Sequence, residues 1–384
     1  MCLSASALSV ARLAQLYFAR WFLSPILSSF RDPSPQSYTY QLRVPAQART
    51  QNESSEVVFP QALLFDDTTW SQPHNRVTLS AIVPSYNEED RVQLMLDDAW
   101  GYLASRAAAD PSFTFEILFV DDGSHDSTAE LIQSFVAKHE GGADRIRLLK
   151  LRENQGKGGA VQQGMLHARG EMLLMVDADG ATRFSDVAKL EAALRTLLAQ
   201  PGSNGHGIAV GSRKHLQSDA VATRKWYRNV LMYGFHFLVS SLTGISHIKD
   251  TQCGFKLFTR PTAQYLFVNQ HLRRWCFDVE LLFLSVQAAR GAPAAAAGGR
   301  RLDPQRIGVV EVAVNWTEIP GSKINLLESS ILMGRDLVLI RLAYMLGVWQ
   351  WRTLGQIKAS MTHARSADVN AAVARDVKRK ISSK

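Results

Sequence analysis

Between Leu79 and Ala199 the chain alternates short apolar runs with stretches of helical periodicity. Leu79 to Val83 is an apolar strand ending at Pro84, and from Glu88 to Leu103 the residues Val92, Leu96, Ala99 and Leu103 recur at helical spacing. The unit repeats as Phe115–Val120 into Ser127–Lys138, Ile146–Leu151 into Gly158–Ala168, and Glu171–Val176 into Ser185–Ala199. Strand–helix units in series predict an α/β fold, a mainly parallel central sheet with helices on both faces. The strands are continuous apolar runs, as expected where both sheet faces are covered. Gly207 to Ser212 predicts one further strand.

Beyond it the pattern loosens. Asn229 to Ile248 is 20 residues without Asp, Glu, Lys or Arg, long enough to cross a bilayer. His236, Ser240, Ser241, Thr243, Ser246 and His247 lower its hydropathy, which favours a buried or interfacial helix. Residues 288–305 are of low complexity and read as an insertion, and 321–352 as an amphipathic helical segment, followed by a polar basic tail over 353–384. At the other end, 31–76 is a linker rich in Pro, Ser and Gln. Residues 1–30 are apolar in tone but carry Arg12, Arg20 and Pro25, so they make a poor spanning helix. They read as a membrane-surface helix, or as a targeting or packing segment. The catalytic domain is expected over 77–320.

Composition narrows the partners. The formal net charge of +8 suits an anionic ligand or surface. Cys2, Cys253 and Cys276 are too widely spaced for a disulfide framework or a structural zinc site. No nucleic-acid-binding motif or aromatic-basic platform accompanies the charge.

Ligands of open α/β sheets bind beyond the carboxyl ends of the strands, so the polar loops there are the candidate site. Pro84-Ser85-Tyr86-Asn87-Glu88-Glu89 ends the first strand; Asn87 can cap the next helix, and Tyr86 offers a ring for a nucleobase. Asp121-Asp122-Gly123-Ser124 can accept hydrogen bonds from a ribose or base, while Asp122 or Asp126 can instead cap the following helix. Asn154-Gln155-Gly156-Lys157-Gly158-Gly159 offers a flexible backbone and a cation to phosphate, without the spacing of a Walker loop.

Asp177-Ala178-Asp179-Gly180 is the strongest signal. In an extended segment the first and third side chains point the same way, so Asp177 and Asp179 converge on one target past the small Ala178. Two such carboxylates suit Mg²⁺ or Mn²⁺, which is commonly completed by substrate phosphates.

With these loops in order, the chain resembles the inverting glycosyltransferases of family 2, of GT-A fold, from about Leu79 to Trp349. VPSYNEE, VDDGSHDST, NQGKGGAV, DADGAT, GFHFLV, DTQCGFKLF, FDVELL and VNWTEIPGSK are similar to the dolichyl-phosphate β-glucosyltransferase branch. The resemblance implies glucose transfer from UDP-glucose to dolichyl phosphate at the cytosolic face of the endoplasmic reticulum, for N-glycan assembly. It implies that Pro84, Tyr86, Glu88, Asp121 and Asp122 hold the uridine, with Lys157 near the diphosphate. Asp177, Ala178 and Asp179 would line the ribose and diphosphate, the two carboxylates acting through the metal. Arg213, Arg224 and Arg228 are the expected cations for the acceptor phosphate, Arg228 with Asp179 being the expected catalytic pair. Asp250, Gln252, Asp278 and Glu280 are polar residues in apolar surroundings and are expected to close the site, although Asp278 and Glu280 could equally orient arginines. The mannosyl branch carries Gln two residues after the second Asp, where this chain has Ala181, so a metal here leans on diphosphate oxygens and water.

A phosphate monoester with a second pKa of about 6 is already largely ionised at neutral pH. Attack on the anomeric carbon therefore needs no strong general base, only in-line positioning and neutralisation of the departing nucleotide. A single displacement inverts the configuration.

Overall fold

The computed structural model describes residues 19–24, 38–41, 76–201, 203–214, 239, 248–290, 307–320, 326–350 and 352. The expected segment 229–248 apart from Val239 and Ile248, most of the linker, most of the insertion, the basic tail, Arg224 and Arg228 lie outside them; within the expected linker, residues 38–41 form a strand. Eight strands are present: β1 Tyr38–Gln41, β2 Val77–Ser85, β3 Phe115–Asp121, β4 Ile146–Leu151, β5 Gly170–Met175, β6 Gly207–Ser212, β7 Lys256–Thr259 and β8 Gly308–Ala313. They form one sheet in the order β1-β4-β3-β2-β5-β7-β6-β8. β2 lies parallel to both β3 and β5, β3 parallel to β4, and β6 parallel to β8. β7 runs antiparallel to β5 and β6, and β1 antiparallel to β4. The sheet is thus mainly parallel, as the repeated units require. The antiparallel β7 was not foreseen, because its Lys256-Leu257-Phe258-Thr259 is short and opens on a charged residue.

Helices cover both faces. On one side α1 (Val92–Ala109), α2 (Thr128–Lys138) and α4 (Val187–Leu198) bury Leu96, Ile132 and Leu190 against Leu79, Ala81 and Val83. On the other, α3 (Lys157–His167), α5 (Arg260–Val268), α6 (Phe277–Arg290) and α7 (Leu326–Met345) pack Met165, Leu266, Phe283 and Ile340 into the cluster that holds Ile82 and Val120. The period-two alternation of β2 sends its successive side chains to opposite cores. Gly164 makes the tightest joint: a Cβ there would lie 2.4 Å from the Ile82 side chain, so α3 can approach the sheet only without one.

The amino ends of the strands are held by buried charge. Glu116, fully buried in β3, accepts from Ser80 Oγ, from Arg147 Nη1 at 2.8 Å and from the Arg169 backbone N and Nε at 2.7 and 2.8 Å. Burial alone would raise its pKa, but the two guanidiniums and the Ser80 hydroxyl bring it down to about 2.

Two local expectations are corrected. β2 does not stop at Pro84 but continues to Ser85. Val176 N donates to Ile82 O, so Ile82 and, two residues on, Pro84 face β5, whose last paired residue is Met175 opposite Ile82. The missing N–H of Pro84 therefore points where no strand remains to be bonded. Second, α1 begins at Val92 rather than Glu88, and Asn87 does not cap it. Asn87 instead takes the left-handed conformation, with φ of 54°.

Candidate active site

The four polar loops meet at the carboxyl edge of β2, β3, β4 and β5. The first two are stitched together reciprocally. Asn87 Oδ1 accepts from His125 N at 2.8 Å while Asn87 N donates to Ser124 Oγ at 3.0 Å. Glu88 N donates to Thr128 Oγ1, Glu89 N to Asp126 Oδ2, and Ser127 N to a Glu89 carboxylate oxygen. The Glu88 carboxylate turns inward to Arg91, 2.6 Å away. Tyr86, 38% exposed, is left presenting its ring to solvent at this rim.

The adjacent carboxylates Asp121 and Asp122 do different work. Asp122 Oδ1 and Oδ2 accept from the backbone N–H groups of Gln155 and Gly156, at 2.7 and 2.8 Å, tying the second loop to the third. Burial pushes its pKa up to about 6, against the pull of those two donors. The N-cap of α2 is Ser127, which makes no side-chain cap bond; Asp126, one residue earlier, accepts from Thr128 N with its Oδ1 at 3.1 Å. Asp121 is fully buried; its Oδ1 accepts from Ser124 N, and its Oδ2 has no hydrogen-bond partner among the described residues. Lys150 Nζ stands 3.9 Å from that oxygen. A buried carboxylate oxygen left in this state costs free energy unless a ligand supplies a donor.

The glycines of the third loop serve a purpose other than the expected flexibility. A Cβ on Gly156 would lie 2.7 Å from Arg273 O, and one on Gly158 would lie 2.8 Å from the Phe277 ring. Gly159 N donates to Arg273 O at 2.9 Å. These residues let the 273–277 segment pack directly on the start of α3, and much of the backbone N–H set offered to phosphate is thereby committed. Lys157 remains the cation of this loop, its Nζ 2.6 Å from Asp177 Oδ1. Burial opposes its charge, but Asp177, Asp278 and Asp179 together raise its pKa.

Asp177 and Asp179 emerge just past β5, with Ala178 buried between them. Asp179 Oδ1 accepts from Ala181 N at 3.0 Å and Gly180 supplies a φ of 69°, so the chain turns immediately after the pair. Burial raises the pKa of Asp179, and the neighbouring Asp177 carboxylate raises it further. Asp177 moves the other way: burial is outweighed by Lys157, Lys256 and Arg213. One carboxylate of the pair is already charge-compensated and the other is not. A divalent cation fits this donor set, since it would relieve Asp179 and take its remaining ligands from diphosphate and water. Among the described residues no group of three His, Cys, Asp or Glu side chains is arranged to hold a metal by itself.

The expected acceptor and closing residues are distributed unevenly. Arg213 lies beside the site, but its Nε and Nη2 are engaged by Asp250 at 2.8 and 2.9 Å, and its guanidinium sits 5.5 Å from the Trp316 ring centre. Asp250 therefore orients an arginine and is itself fixed by Glu311, which accepts from the backbone N–H groups of Lys249 and Asp250. Asp278 is paired with Lys256. Glu280 stands apart: it accepts from the His271 and Leu272 backbones and from Tyr344 Oη, which binds the 269–273 loop to α7. Gln252 Nε2 reaches Met333 Sδ, also on α7.

Three further residues lie within the DTQCGFKLF and VNWTEIPGSK motifs, but their roles could not be read from the sequence alone. Lys256 is 1% exposed within β7. Gly254 lies against the carboxylate of Asp177. Trp316 pairs through an isolated bridge with Thr182, laying the 314–317 segment along the loop that follows Asp179.

Residues 80–256 match the family described as Glycosyl transferase family 2. The chain is 46% identical over 298 residues to a dolichyl-phosphate β-glucosyltransferase of Drosophila melanogaster, covering 74% of this chain and 85% of that protein. It is 48% identical over 279 residues to the Dictyostelium discoideum enzyme of the same name, covering 72% and 78%. The chain belongs to the dolichyl-phosphate β-glucosyltransferase family. It is accordingly a glycosyltransferase of family 2. Among solved structures, the glucosyl-3-phosphoglycerate synthase of Mycobacterium tuberculosis in complex with UDP aligns with a TM-score of 0.43 and 16% identity, over 70% of this chain and 79% of that one.

Proposed function

We propose that the protein transfers glucose from UDP-glucose to dolichyl phosphate with inversion, forming dolichyl β-D-glucosyl phosphate for N-glycan precursor assembly. The observation that carries this reading is the asymmetric pair Asp177 and Asp179 at the sheet edge, one compensated by Lys157 and the other without an ion pair among the described residues. Membership of the family supports the lipid acceptor and the sugar. Asp177 and Asp179 would hold Mg²⁺ or Mn²⁺, which supplies neutralisation of the departing diphosphate. Lys157 adds a second positive charge on the same side. Tyr86 and the unpartnered Asp121 oxygen are the groups placed to receive the nucleoside.

The acceptor phosphate needs cations of its own. Two nitrogens of Arg213 are held by Asp250, so Arg213 contributes mainly field and orientation, and Arg224 and Arg228 are left to grip the phosphate. The acceptor lies in a bilayer, and we place the catalytic domain on the cytosolic face of the endoplasmic reticulum membrane. No helix among the described residues is long and apolar enough to span it. Exposed Ile331, Met345, Leu346 and Val348 on and after α7, with Trp21 and Leu23, supply apolar surface for a membrane contact instead. Arg335 joins those two regions, donating to Trp21 O at 3.0 Å.

The test is a panel of radiolabelled nucleotide sugars with dolichyl phosphate, with and without chelator. The expected result is transfer from UDP-glucose that is lost with chelator. Turnover of GDP-mannose with indifference to UDP-glucose would overturn the choice of sugar. Unchanged function in Asp179→Asn would instead support a nonenzymatic binding protein.

A further inference from the structure

The turn joining Cys253 to Lys256 lies directly behind the Asp177 carboxylate. A Cβ built on Gly254 would meet Asp177 Oδ2 at 2.1 Å, Cγ at 2.3 Å and Oδ1 at 2.4 Å, with no other group closer. The position of that carboxylate therefore depends on the missing side chain. Gly254 is not among the described glycines of positive φ, so its backbone does not itself demand glycine. Close approach is the remaining reason for it.

The turn is in turn fastened from beneath. Lys256 Nζ donates to Cys253 O at 2.6 Å and to Asp278 Oδ1 at 2.5 Å, and Lys256 and Asp278 are 1% and 3% exposed. An ammonium buried this deeply is costly unless each of its donors finds an acceptor. Here one donor closes the turn on itself and another anchors it to α6. Gly211 N also donates to Phe255 O at 2.8 Å, so the turn is gripped on a second side by β6. It is a rigid wall, and Asp177 rests against it.

We propose that the Cys253–Lys256 turn, locked by the Lys256–Asp278 pair, is the positioning element of the donor site, setting the direction in which Asp177 faces its ligand. Gly254 and Lys256 are positioning residues. They act through Asp177: the bare Cα of Gly254 leaves room for its carboxylate beside Lys157, and Lys256 adds positive field behind it. This rests on the assignment of Asp177 to the nucleotide-diphosphate site.

Gly254→Ala separates this role from folding. The clashing atoms are the far end of one side chain that can swing away, so the fold is retained while the carboxylate is displaced. Binding of UDP-glucose, measured by titration calorimetry with and without Mn²⁺, is expected to weaken at least tenfold, and the difference made by Mn²⁺ to shrink. The melting temperature should stay within a few degrees of wild type and the KM for dolichyl phosphate should be unchanged. Lys256→Met alone is expected to lower both stability and donor affinity. The double variant Lys256→Met/Asp278→Leu removes the buried pair altogether and should recover stability without recovering affinity. Wild-type donor affinity in Gly254→Ala, or in the double variant, overturns the inference, because a purely structural pair is replaceable by apolar side chains. If the wild-type protein binds a different nucleotide sugar, the choice of UDP-glucose fails, and the same tenfold loss is read with that nucleotide.

Discussion

The two aspartate loops of this site differ by one residue of spacing, and that residue divides their work. Asp121 and Asp122 are adjacent, so their side chains leave the strand end in opposite directions. One is driven into the core and the other across to the Gln155–Gly156 backbone. Asp177 and Asp179 are separated by Ala178, so both face the same side and each feels the other's charge. The adjacent pair braces the second loop against the third, the end at which we propose the nucleoside binds; the spaced pair concentrates negative charge where a cation can be shared. Carboxylate spacing along a strand thus decides whether two acids share a ligand or split between architecture and recognition.

The comparison breaks most visibly at the spaced pair. Asp179→Asn removes the carboxylate that lacks a compensating partner, and loss of one preorganised charge interaction of this kind costs roughly 10²–10³-fold in kcat. Asp177→Asn should cost as much, and it also strands Lys157. Asp179→Asn should melt near wild type, since burial of a charged Asp179 is unfavourable to begin with, whereas Asp177→Asn should melt lower because Lys157 loses its partner. Steady-state transfer assays beside thermal melts check this. A kcat within a factor of two of wild type in both would sink the division of labour.

Asp122→Ala addresses the architectural half. It leaves the N–H groups of Gln155 and Gly156 without their carboxylate, and hydrogen bonds to charged groups contribute about 1.5–3 kcal/mol each. Removing the cost of burying that charge offsets part of the loss, so a net destabilisation of about 1–3 kcal/mol is expected. The KM for the donor should rise with little change in kcat, the reverse of the Asp179 result. Urea titrations and donor saturation curves distinguish the two patterns.

How much of this was legible in the sequence follows from the range of the interactions. The strand–helix units, the loop order and the same-sided Asp177 and Asp179 rest on local periodicity, and they were readable. The partner of Asp122 was not, because Gln155 and Gly156 are more than thirty residues away and nothing in an Asp-Asp-Gly run names them. Gly156 and Gly158 looked like flexibility, whereas the close contacts that exclude a side chain there come from Arg273 and Phe277, on an element with no sequence link to theirs, and only Gly156 also takes a positive φ. Lys256 was hidden for a related reason: a buried lysine is indistinguishable from a surface one until its acceptors, Cys253 O and Asp278, are seen. Arg213 was found as a cation, but its engagement by Asp250 was invisible because it depends on how β6 and the 248–250 segment converge.

Smaller effects come from titration, where Asp122 and Glu116 should behave oppositely. The pKa of Asp122 is about 6 in the folded chain against an ordinary value of 3.8. The folded state therefore holds this proton more tightly, and stability should rise as pH falls from about 6 toward that ordinary value. Glu116 is brought down to about 2 from 4.5, so its contribution is complete above the ordinary value and is lost as pH falls toward about 2. Comparing unfolding of wild type, Asp122→Asn and Glu116→Gln across this range should show the Asp122 slope disappear in the first variant and the Glu116 slope in the second. Identical pH profiles for all three would contradict both assignments.

The smallest expected effect probes the stitching between the first two loops, and it needs two substitutions at one position. Asn87 has a φ of 54° and also lends Oδ1 to His125 N. Asn87→Gly keeps the backbone at ease but deletes the side-chain bond, so it isolates the hydrogen bond, a loss of about 0.5–1.5 kcal/mol. Asn87→Ala deletes the same bond and puts at this φ a side chain without the local polar contacts that let Asn tolerate the left-handed region, roughly a further 1 kcal/mol. The order wild type, Gly, Ala in chemical-denaturation stability is therefore expected, with a donor KM that rises in the same order. If Gly equals wild type while Ala alone is destabilised, the residue is there for its backbone conformation and the bond to His125 is incidental. If Gly and Ala fall together, the side-chain bond is what matters, and the loop of Tyr86 is held in place by the loop of Asp121.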